Sequence, residues 1–189
     1  MKTLCLIGGG LLGKHLLDLF KKEIYIYKKI IIFDDHSKKI SRTCRPFSDW
    51  ELKEFCRCDF VVALGYRHLK TKKAIISKIL KSKRNLISLV HETAFVAHSA
   101  TINKGAIIFP SCVIDSFSRI GYGSILHHGV IVSHDSTLGQ CCFLAPGVIM
   151  CGKSKIGDCT FIGAGSVIQD EAVIGELERK KMFSKILRT

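Results

Sequence analysis

Between residues 96 and 174, an aliphatic side chain recurs at every sixth position. All fourteen positions of the series carry Val, Ile, Leu or Met: they are Val96, Ile102, Ile108, Ile114, Ile120, Leu126, Val132, Leu138, Leu144, Met150, Ile156, Ile162, Ile168 and Ile174. The residue four places later is small or β-branched, as in Ala106 and Ser124. A period of six fits neither an α-helix nor one long strand. It predicts a solenoid of very short strands that turn a corner every six residues.

Three such strands close one triangular coil, with the aliphatic side chains pointing inward and the small residues near the corners. The register runs unbroken over residues 96–173, which corresponds to about four and a third coils. The residue after the aliphatic one is often glycine, as at Gly121, Gly139, Gly157, Gly163 and Gly175. We expect glycine there to permit the backbone angles of the turn.

The first ninety residues show a different pattern. A short apolar strand is predicted over residues 2–7, and a helical pattern runs to Phe20. Between them lies Gly-Gly-Gly-Leu-Leu-Gly, residues 8–13. The order strand, G-x-G-x-x-G and helix is typical of a turn that binds a diphosphate, because glycines allow close approach and the helix N-terminus offers backbone N–H groups.

Three further strands and a second helix complete the prediction for this part of the chain. The strands are predicted over residues 30–33, 59–64 and 85–90, and the helix over residues 69–80. Asp34 and Asp35 follow the second strand and are suitably placed for a ribose or base contact. The basic residues that follow them are candidates for phosphate contacts; they are Lys38, Lys39, Arg42 and Arg45.

The formal net charge of +13 is unevenly distributed. Residues 1–90 carry 20 Lys and Arg against 8 Asp and Glu, residues 91–175 carry 4 against 6, and residues 176–189 carry 5 against 2. The excess therefore belongs to the two ends of the chain. Small phosphate-bearing ligands account for part of it, and a nucleic-acid partner is not required.

Two absences bear on the location of the protein. No apolar run reaches the roughly 18 residues of a transmembrane helix, and the N-terminal apolar stretch contains three glycines and lacks a cleavage pattern. The nine cysteines are an odd number without framework spacing, which favours thiols in a reducing compartment. We expect a cytoplasmic protein without an integral membrane segment.

A small nucleotide-binding domain followed directly by a hexapeptide β-helix resembles the NeuD/PglD-type sugar acyltransferases of bacillosamine and sialic-acid pathways. The resemblance covers roughly residues 2–175, and its most specific piece is residues 125–139, which contain His134 and Asp135. It implies an α/β plus all-β chain. A Rossmann-like nucleotide-sugar-binding domain would occupy residues 1–90, a left-handed parallel β-helix acyltransferase domain residues 91–175, and a basic capping tail, expected as an amphipathic helix, residues 176–189.

The resemblance also assigns roles to individual residues. His134 would be the general base, and Asp135 would orient it and raise its basicity. Gly152, one coil further on, would bind the acyl-CoA carbonyl through its backbone N–H. The remaining implied positions are Phe143 and Ala164 for coenzyme A and seven for the substrate: Gly10, Leu11, Leu12, Asp34, Asp35 and Gly65, which would line the nucleotide-sugar site, and His127, where the family commonly has Asn.

The function implied by this resemblance is acetyl-CoA-dependent acetylation of the amino group of a nucleotide-linked sugar, UDP being the expected nucleotide. The product would be a precursor of surface glycans. A homotrimer with active sites between neighbouring prisms is implied, with acetyl-CoA as co-substrate, no metal and no nucleic acid.

Three alternatives stay open at this point. The first is O-acetylation of a sialic-acid-type sugar. The second is a non-catalytic, truncated nucleotide-sugar-binding scaffold, because the repeat stops after Gly175 and a further coil is missing. The third is a metal lyase of the γ-carbonic-anhydrase type, in which a trimer gathers His98, His128 and His134.

Overall fold

A computed structural model describes residues 2–35 and 43–188 of the chain. The chain divides into two compact units, Met1–Ile87 and Ser88–Thr189. Of the basic residues proposed for phosphate contacts, Lys38, Lys39 and Arg42 lie outside the described residues. No helix within the described residues is long and apolar enough to cross a membrane.

The N-terminal unit is built on a five-stranded parallel sheet. In chain order its strands are β1 (Thr3–Ile7), β2 (Lys29–Phe33), β3 (Cys44–Arg45), β4 (Asp59–Val62) and β5 (Asn85–Leu86). Its helices are α1 (Leu11–Leu19), α2 (Lys21–Ile24) and α3 (Leu69–Lys81), with single 3-10 turns at Phe47–Glu51, Lys53–Phe55 and Tyr66–His68. The strand order is β3-β2-β1-β4-β5. The order therefore runs outward in both directions from β1, and in parallel sheets with such a reversal ligands usually bind at the carboxyl ends of the strands beside it, here β1 and β4.

The central strand shows why these residues form a buried parallel sheet. Leu4, Cys5, Leu6 and Ile7 are all at most 1% exposed, as expected for a strand that is covered on both faces. On the covering helix α3, the buried side chains recur at helical spacing; they include Leu69, Ile75, Ile76 and Ile79. Six of the nine cysteines of the whole chain are buried and act as small apolar packing residues.

The predicted strand over residues 85–90 is wrong, because this segment belongs to two sheets. Asn85–Leu86 pairs with β4 as β5, whereas β6 (Leu89–Val90) pairs with Ile107–Ile108 in the second unit. Val90 lies six residues before Val96, so it already occupies the aliphatic position of the repeat. The solenoid therefore begins one strand earlier than the series suggested.

The second unit consists of two-residue strands in three parallel sheets. The β6 sheet contains β6 (Leu89–Val90), β9 (Ile107–Ile108), β12 (Ile125–Leu126), β15 (Phe143–Leu144), β18 (Phe161–Ile162) and β21 (Arg179–Lys180). The β7 sheet contains β7 (Phe95–Val96), β10 (Val113–Ile114), β13 (Ile131–Val132), β16 (Ile149–Met150), β19 (Val167–Ile168) and β22 (Lys185–Ile186). The β8 sheet contains β8 (Thr101–Ile102), β11 (Arg119–Ile120), β14 (Thr137–Leu138), β17 (Lys155–Ile156) and β20 (Val173–Ile174).

Residues eighteen apart are stacked on one another throughout this unit. Leu126, for example, pairs with Ile108 on one side and with Leu144 on the other, and all three are 0% exposed. Each fully buried Leu or Ile contributes about 1.5–3 kcal/mol relative to exposure. The predicted solenoid is confirmed, and the stacked parallel sheets fit a left-handed β-helix.

The glycines after the aliphatic positions have a different role from the predicted one. The left-handed backbone angles fall two residues later and are often adopted by non-glycine residues, for example Asp135 (φ 57°) and Cys141 (φ 52°). Gly139 is required instead because the coils approach closely: a Cβ there would lie 2.6 Å from Asp158 Oδ1 and 2.8 Å from Gly157 C.

The predicted helical tail over residues 176–189 is also wrong. This segment adds β21 and β22 to the solenoid, and the strands pair with β18 and β19. The aliphatic series appeared to stop because Lys180 occupies an inward position, where it is half-buried and pairs with Glu178. The strand ladder consists of backbone hydrogen bonds, so it continues past a position that the side-chain pattern does not mark. The coil that seemed to be missing is therefore present.

The close approach of the coils at Gly139 leads to the first testable prediction. Replacing Gly139 with Ala should lower the free energy of unfolding by about 1–3 kcal/mol, because the new Cβ clashes with backbone atoms. Gly175→Ala is the matched control, since the nearest atom to a Cβ there is Glu178 Cγ at 3.9 Å, and its effect should stay within about 0.5 kcal/mol. Urea unfolding measures both, and equal effects would contradict the stacking argument.

Candidate functional site

The first candidate site lies at the corner that follows β13. Ser133 is the first turn residue after this strand, and His134 and Asp135 follow it. Asp135 adopts the left-handed conformation, which Asp tolerates better than most residues, and its backbone N donates to Ser116 O at 3.0 Å. The corner therefore points both side chains outward, where His134 is 54% and Asp135 49% exposed.

The two side chains form a pair whose geometry defines the free atom of the imidazole. His134 Nδ1 lies 2.9 Å from Asp135 Oδ2, and a carboxylate accepts, so Nδ1 carries the hydrogen and Nε2 is left as the acceptor. Nε2 is directed over Gly152: a Cβ on that glycine would lie 2.7 Å from Nε2 and 2.8 Å from Cε1. The structure thus brings together the three residues that the sequence assigned to one corner.

Gly152 and the next coil form the floor of this corner. Gly152 is buried, and its amide makes no hydrogen bond within the part of the chain that the structure describes. Cys151, the residue before Gly152, and Asp170, one coil further on, line a cavity of about 320 Å³ together with Lys185 and others. Partial burial, and secondarily the Asp170 carboxylate, raise the pKa of the Cys151 thiol above its ordinary value. This thiol therefore remains protonated near neutral pH.

A second cluster lies at the corner that follows the β6 sheet. The ring of His127 stacks on Phe109 with centroids 4.4 Å apart and planes 10° apart. His127 Nδ1 also lies 2.7 Å from His128 Nδ1. Phe143 adjoins this cluster, 6.1 Å from His127 and 6.0 Å from Phe161. Phe109 and Phe161 were not among the predicted site residues, and His128 was considered only as a metal ligand, although the eighteen-residue spacing of Phe109 and His127 is visible in the sequence.

The predicted coenzyme A residues are not brought to the His134 corner within one chain. Phe143 belongs to β15 and is 8% exposed, and Ala164 follows β18, so both belong to the β6-sheet side. His134 and Gly152 follow strands of the β7 sheet instead. One prism therefore presents the two halves of the predicted acyl-CoA site at two different corners.

The third group lies in the N-terminal unit at the carboxyl ends of β1 and β4. Gly8 adopts φ 101°, and a Cβ there would lie 2.8 Å from Ala63 O, so glycine is required at the turn. The space beside Gly10 and Gly65 is open, because a Cβ added to either residue would have no atom within 4 Å. Leu11 begins α1 and is 87% exposed, whereas the neighbouring Leu12 is half-buried.

The two acidic residues after β2 hold backbone amides of neighbouring loops. Asp34 Oδ2 accepts a hydrogen bond from Gly9 N at 2.6 Å, and Asp35 Oδ1 accepts one from Phe47 N at 2.8 Å. Asp34 therefore shapes the glycine turn itself. Within residues 2–35 and 43–188, no group of three or more His, Cys, Asp or Glu side chains is placed to hold a metal ion.

The contact between Asp34 and Gly9 leads to a second prediction. Asp34→Ala should lower the free energy of unfolding by about 1–2 kcal/mol, because a charged acceptor is removed from a half-buried N–H, and should speed hydrogen exchange at Gly9. Asp34→Asn keeps an acceptor oxygen and should retain most of the stability. Urea unfolding and amide exchange measure the two effects. An unchanged Gly9 exchange rate in the Ala variant would contradict the anchoring role.

The sequence by itself matches no protein-family model and no curated protein. Solved structures do match. The acetyltransferase domain of PglB from Neisseria gonorrhoeae FA1090, in complex with acetyl coenzyme A, has a TM-score of 0.86 at 23% identity over 98% of this chain and 91% of that one.

Two further structures show the same likeness. PerB from Caulobacter crescentus, in complex with CoA and GDP-perosamine, has a TM-score of 0.82 at 22% identity over 100% of this chain and 90% of that one. WeeI from Acinetobacter baumannii AYE has a TM-score of 0.87 at 18% identity over 100% of this chain and 93% of that one. Over nearly its whole length, this chain has the fold of these three structures.

Proposed function

We propose that the protein is an acetyl-CoA-dependent N-acetyltransferase that acts on the amino group of a nucleotide-linked sugar, as in the NeuD/PglD-type enzymes. The observation that carries this proposal is the placement of His134 Nε2 over Gly152 with Nδ1 held by Asp135. The solved structures of the same fold, some with bound CoA and GDP-perosamine, support the choice of substrates.

The geometry of the pair suits general-base catalysis. The sugar amine attacks the thioester carbonyl carbon, and Nε2 of His134 accepts the proton that the amine loses. The Asp135 carboxylate holds the tautomer with hydrogen on Nδ1 and stabilises the imidazolium that forms. The proton then passes to the sulfur as the C–S bond breaks, so the products are the N-acetyl sugar and CoA with a free thiol.

The Gly152 amide is the candidate donor for the carbonyl oxygen of the thioester. An unpaired backbone N–H aimed at developing negative charge stabilises a tetrahedral intermediate. Glycine keeps the space between this amide and the imidazole open, because any Cβ would lie within contact distance of Nε2. The adjoining cavity, with Lys185 on its wall, offers room for part of the acyl-CoA.

The N-terminal unit is proposed as a Rossmann-like nucleotide-sugar site. Its glycine turn and Gly65 lie at the carboxyl edge, where the strand order diverges and ligands of such sheets usually bind. The open surfaces of Gly10 and Gly65 allow a phosphate or base to approach the backbone. The nucleotide is expected to be UDP, and a GDP-linked sugar is the alternative to be tested beside it.

A homotrimer is proposed because one prism separates the two halves of the acyl-CoA site. The outward residues of the first five strands of the β7 sheet form an apolar stripe beside the His134 corner, and Lys185 of β22 ends it; the apolar residues are Phe95, Val113, Ile131, Ile149 and Val167. The corresponding positions of the β8 sheet are mostly polar. A threefold arrangement would bury the stripe and set the His134 corner of one prism against the Phe143 and Ala164 side of a neighbour.

Acetyl transfer tests the proposal directly. Purified protein with acetyl-CoA and a panel of UDP- and GDP-linked amino sugars should yield a product heavier by one acetyl group in mass spectrometry. His134→Ala should lower kcat by roughly 10²–10⁴-fold, and Gly152→Ala should also lower it, because its Cβ displaces the imidazole. Neither change should alter the melting temperature much. The His134 side chain is half exposed, and the atoms that a Cβ on Gly152 would meet first are at the end of that same side chain.

The control for this experiment is His98→Ala. His98 is exposed and occupies the equivalent place at the same corner two coils earlier, so its removal should leave kcat unchanged. A product that hydroxylamine cleaves would indicate an ester and favour O-acetylation. Binding of a nucleotide-sugar without turnover of any acceptor would instead favour a scaffold.

The trimer is tested by light scattering. Wild-type protein should have about three times the mass of the 21.0 kDa chain, and Ile131→Glu should yield monomers and lose activity, because it places a charge in the apolar stripe. Thr137→Glu, on the β8 sheet, is the control and should remain trimeric. A fully active wild-type monomer would refute the shared site.

The proposal places the protein in the cytoplasm. Acetyl-CoA is available there, and an odd number of cysteines suits reducing conditions.

A further inference from the structure

The turn between α2 and β2 exposes two large apolar side chains between two pairs of lysines. Tyr25 is 87% and Ile26 59% exposed. The exposed residues Lys21 and Lys22 precede them, and Lys28 and Lys29, also exposed, follow. An apolar tip flanked by cations is the composition of interfacial membrane anchors, in which apolar groups enter the headgroup boundary and lysines attract anionic lipids.

The neighbouring residues hold this turn in a fixed shape. Ile24 is buried, and Tyr27 N donates to Ile24 O at 3.0 Å. The Tyr27 hydroxyl donates to Asp59 Oδ2 at 2.6 Å, and Asn85 Nδ2 donates to Asp59 Oδ1 at 2.5 Å. Burial, together with the Asp59 carboxylate, raises the pKa of Tyr27, so its hydroxyl remains a donor. Tyr25 and Ile26 thus lie exposed between two anchored residues, the buried Ile24 before them and Tyr27, which is hydrogen-bonded to Asp59, after them.

The turn lies at the amino ends of the parallel strands. Lys29 is the first residue of β2 and pairs with Thr3, the first residue of β1. The glycine turn and Gly65 follow the carboxyl ends of β1 and β4. A surface that binds at the amino edge would therefore leave the proposed nucleotide site open.

Positive charge is concentrated along this edge. Exposed cations of the turn, the strand starts and the segments just before them are Lys2, Lys21, Lys22, Lys28, Lys29, Arg57, Lys81 and Lys83. The acidic groups in the same region are Asp18, which pairs with Lys21 at 2.8 Å, Glu23, and Asp59, which is bound by Tyr27 and Asn85. The eight cations outnumber these three acidic groups, so the edge remains positive and carries five of the twelve excess charges of the first ninety residues.

We propose that this amino-edge patch, formed by Tyr25, Ile26 and the exposed cations around them, docks the protein on an anionic lipid bilayer. Charge complementarity selects an anionic partner. The exposed Tyr25 and Ile26 select a bilayer over a nucleic acid, because a phosphate backbone offers Ile26 no apolar environment.

Vesicle sedimentation of the full-length protein tests the patch. Binding to phosphatidylcholine vesicles with about 30% phosphatidylserine is expected at about 0.1 M salt, with little binding to pure phosphatidylcholine and a decrease as salt rises. The double change Lys28→Gln and Lys29→Gln should lower the partition coefficient roughly 25-fold, at roughly fivefold per cation. Tyr25→Ser with Ile26→Ser should lower it roughly tenfold or more.

Matched controls lie in the β-helix. Lys104→Gln with Lys155→Gln removes two exposed cations, and Phe117→Ser with Val173→Ser removes two exposed apolar side chains; neither pair should change vesicle binding. Melting curves verify that each variant is folded. The proposal is overturned if the wild type does not bind anionic vesicles, or if the variant with Tyr25→Ser and Ile26→Ser binds them as tightly as the wild type. It is also overturned if a single-stranded RNA homopolymer binds through the lysines alone and displaces the vesicles.

Discussion

Stacking of backbone on backbone every eighteen residues is the constraint on which the second unit depends. Because each strand pairs with the strand one coil before and one coil after it, a residue meets its neighbours in the stack whatever its chemistry. Where two coils approach too closely for a Cβ, as at Gly139, only glycine fits. The same stacking places the His134 ring over Gly152, so the candidate site is a consequence of the repeat.

At that corner the imidazole is oriented by a local partner and remains open to solvent. The left-handed conformation of Asp135 brings its carboxylate to Nδ1, and both side chains are about half exposed. Such a pair offers a reactive nitrogen to a ligand without first burying a charge, which is costly. His127, Phe143 and Ala164 belong to another corner of the prism, which is why the proposed acyl-CoA site calls for a neighbouring prism.

The N-terminal unit separates two kinds of chemistry between the two edges of one sheet. Its carboxyl edge carries open glycines and an aspartate that holds their turn, whereas its amino edge carries lysines and an exposed apolar tip. The net charge of the chain is therefore a local property. The proposed nucleotide site and the proposed bilayer-docking patch would not compete, because parallel strands place their amino and carboxyl ends at opposite edges of the sheet.

The amino-acid sequence alone determined the solenoid, the glycine turn and the neighbourhood of His134, Asp135 and Gly152, because burial repeats with the coil and leaves a periodic trace in the side chains. It did not reveal that Leu89–Val90 belongs to the solenoid or that the solenoid continues past Lys180. The hydrogen bonds of a strand ladder join backbone groups, which side-chain patterns mark only indirectly. Tertiary structure also decided the contact of His127 with Phe109 and His128. The eighteen-residue spacing places Phe109 and His127 in one stack, but the parallel stacking of their rings and the approach of the His128 ring depend on how the side chains pack at that corner, which spacing alone does not specify.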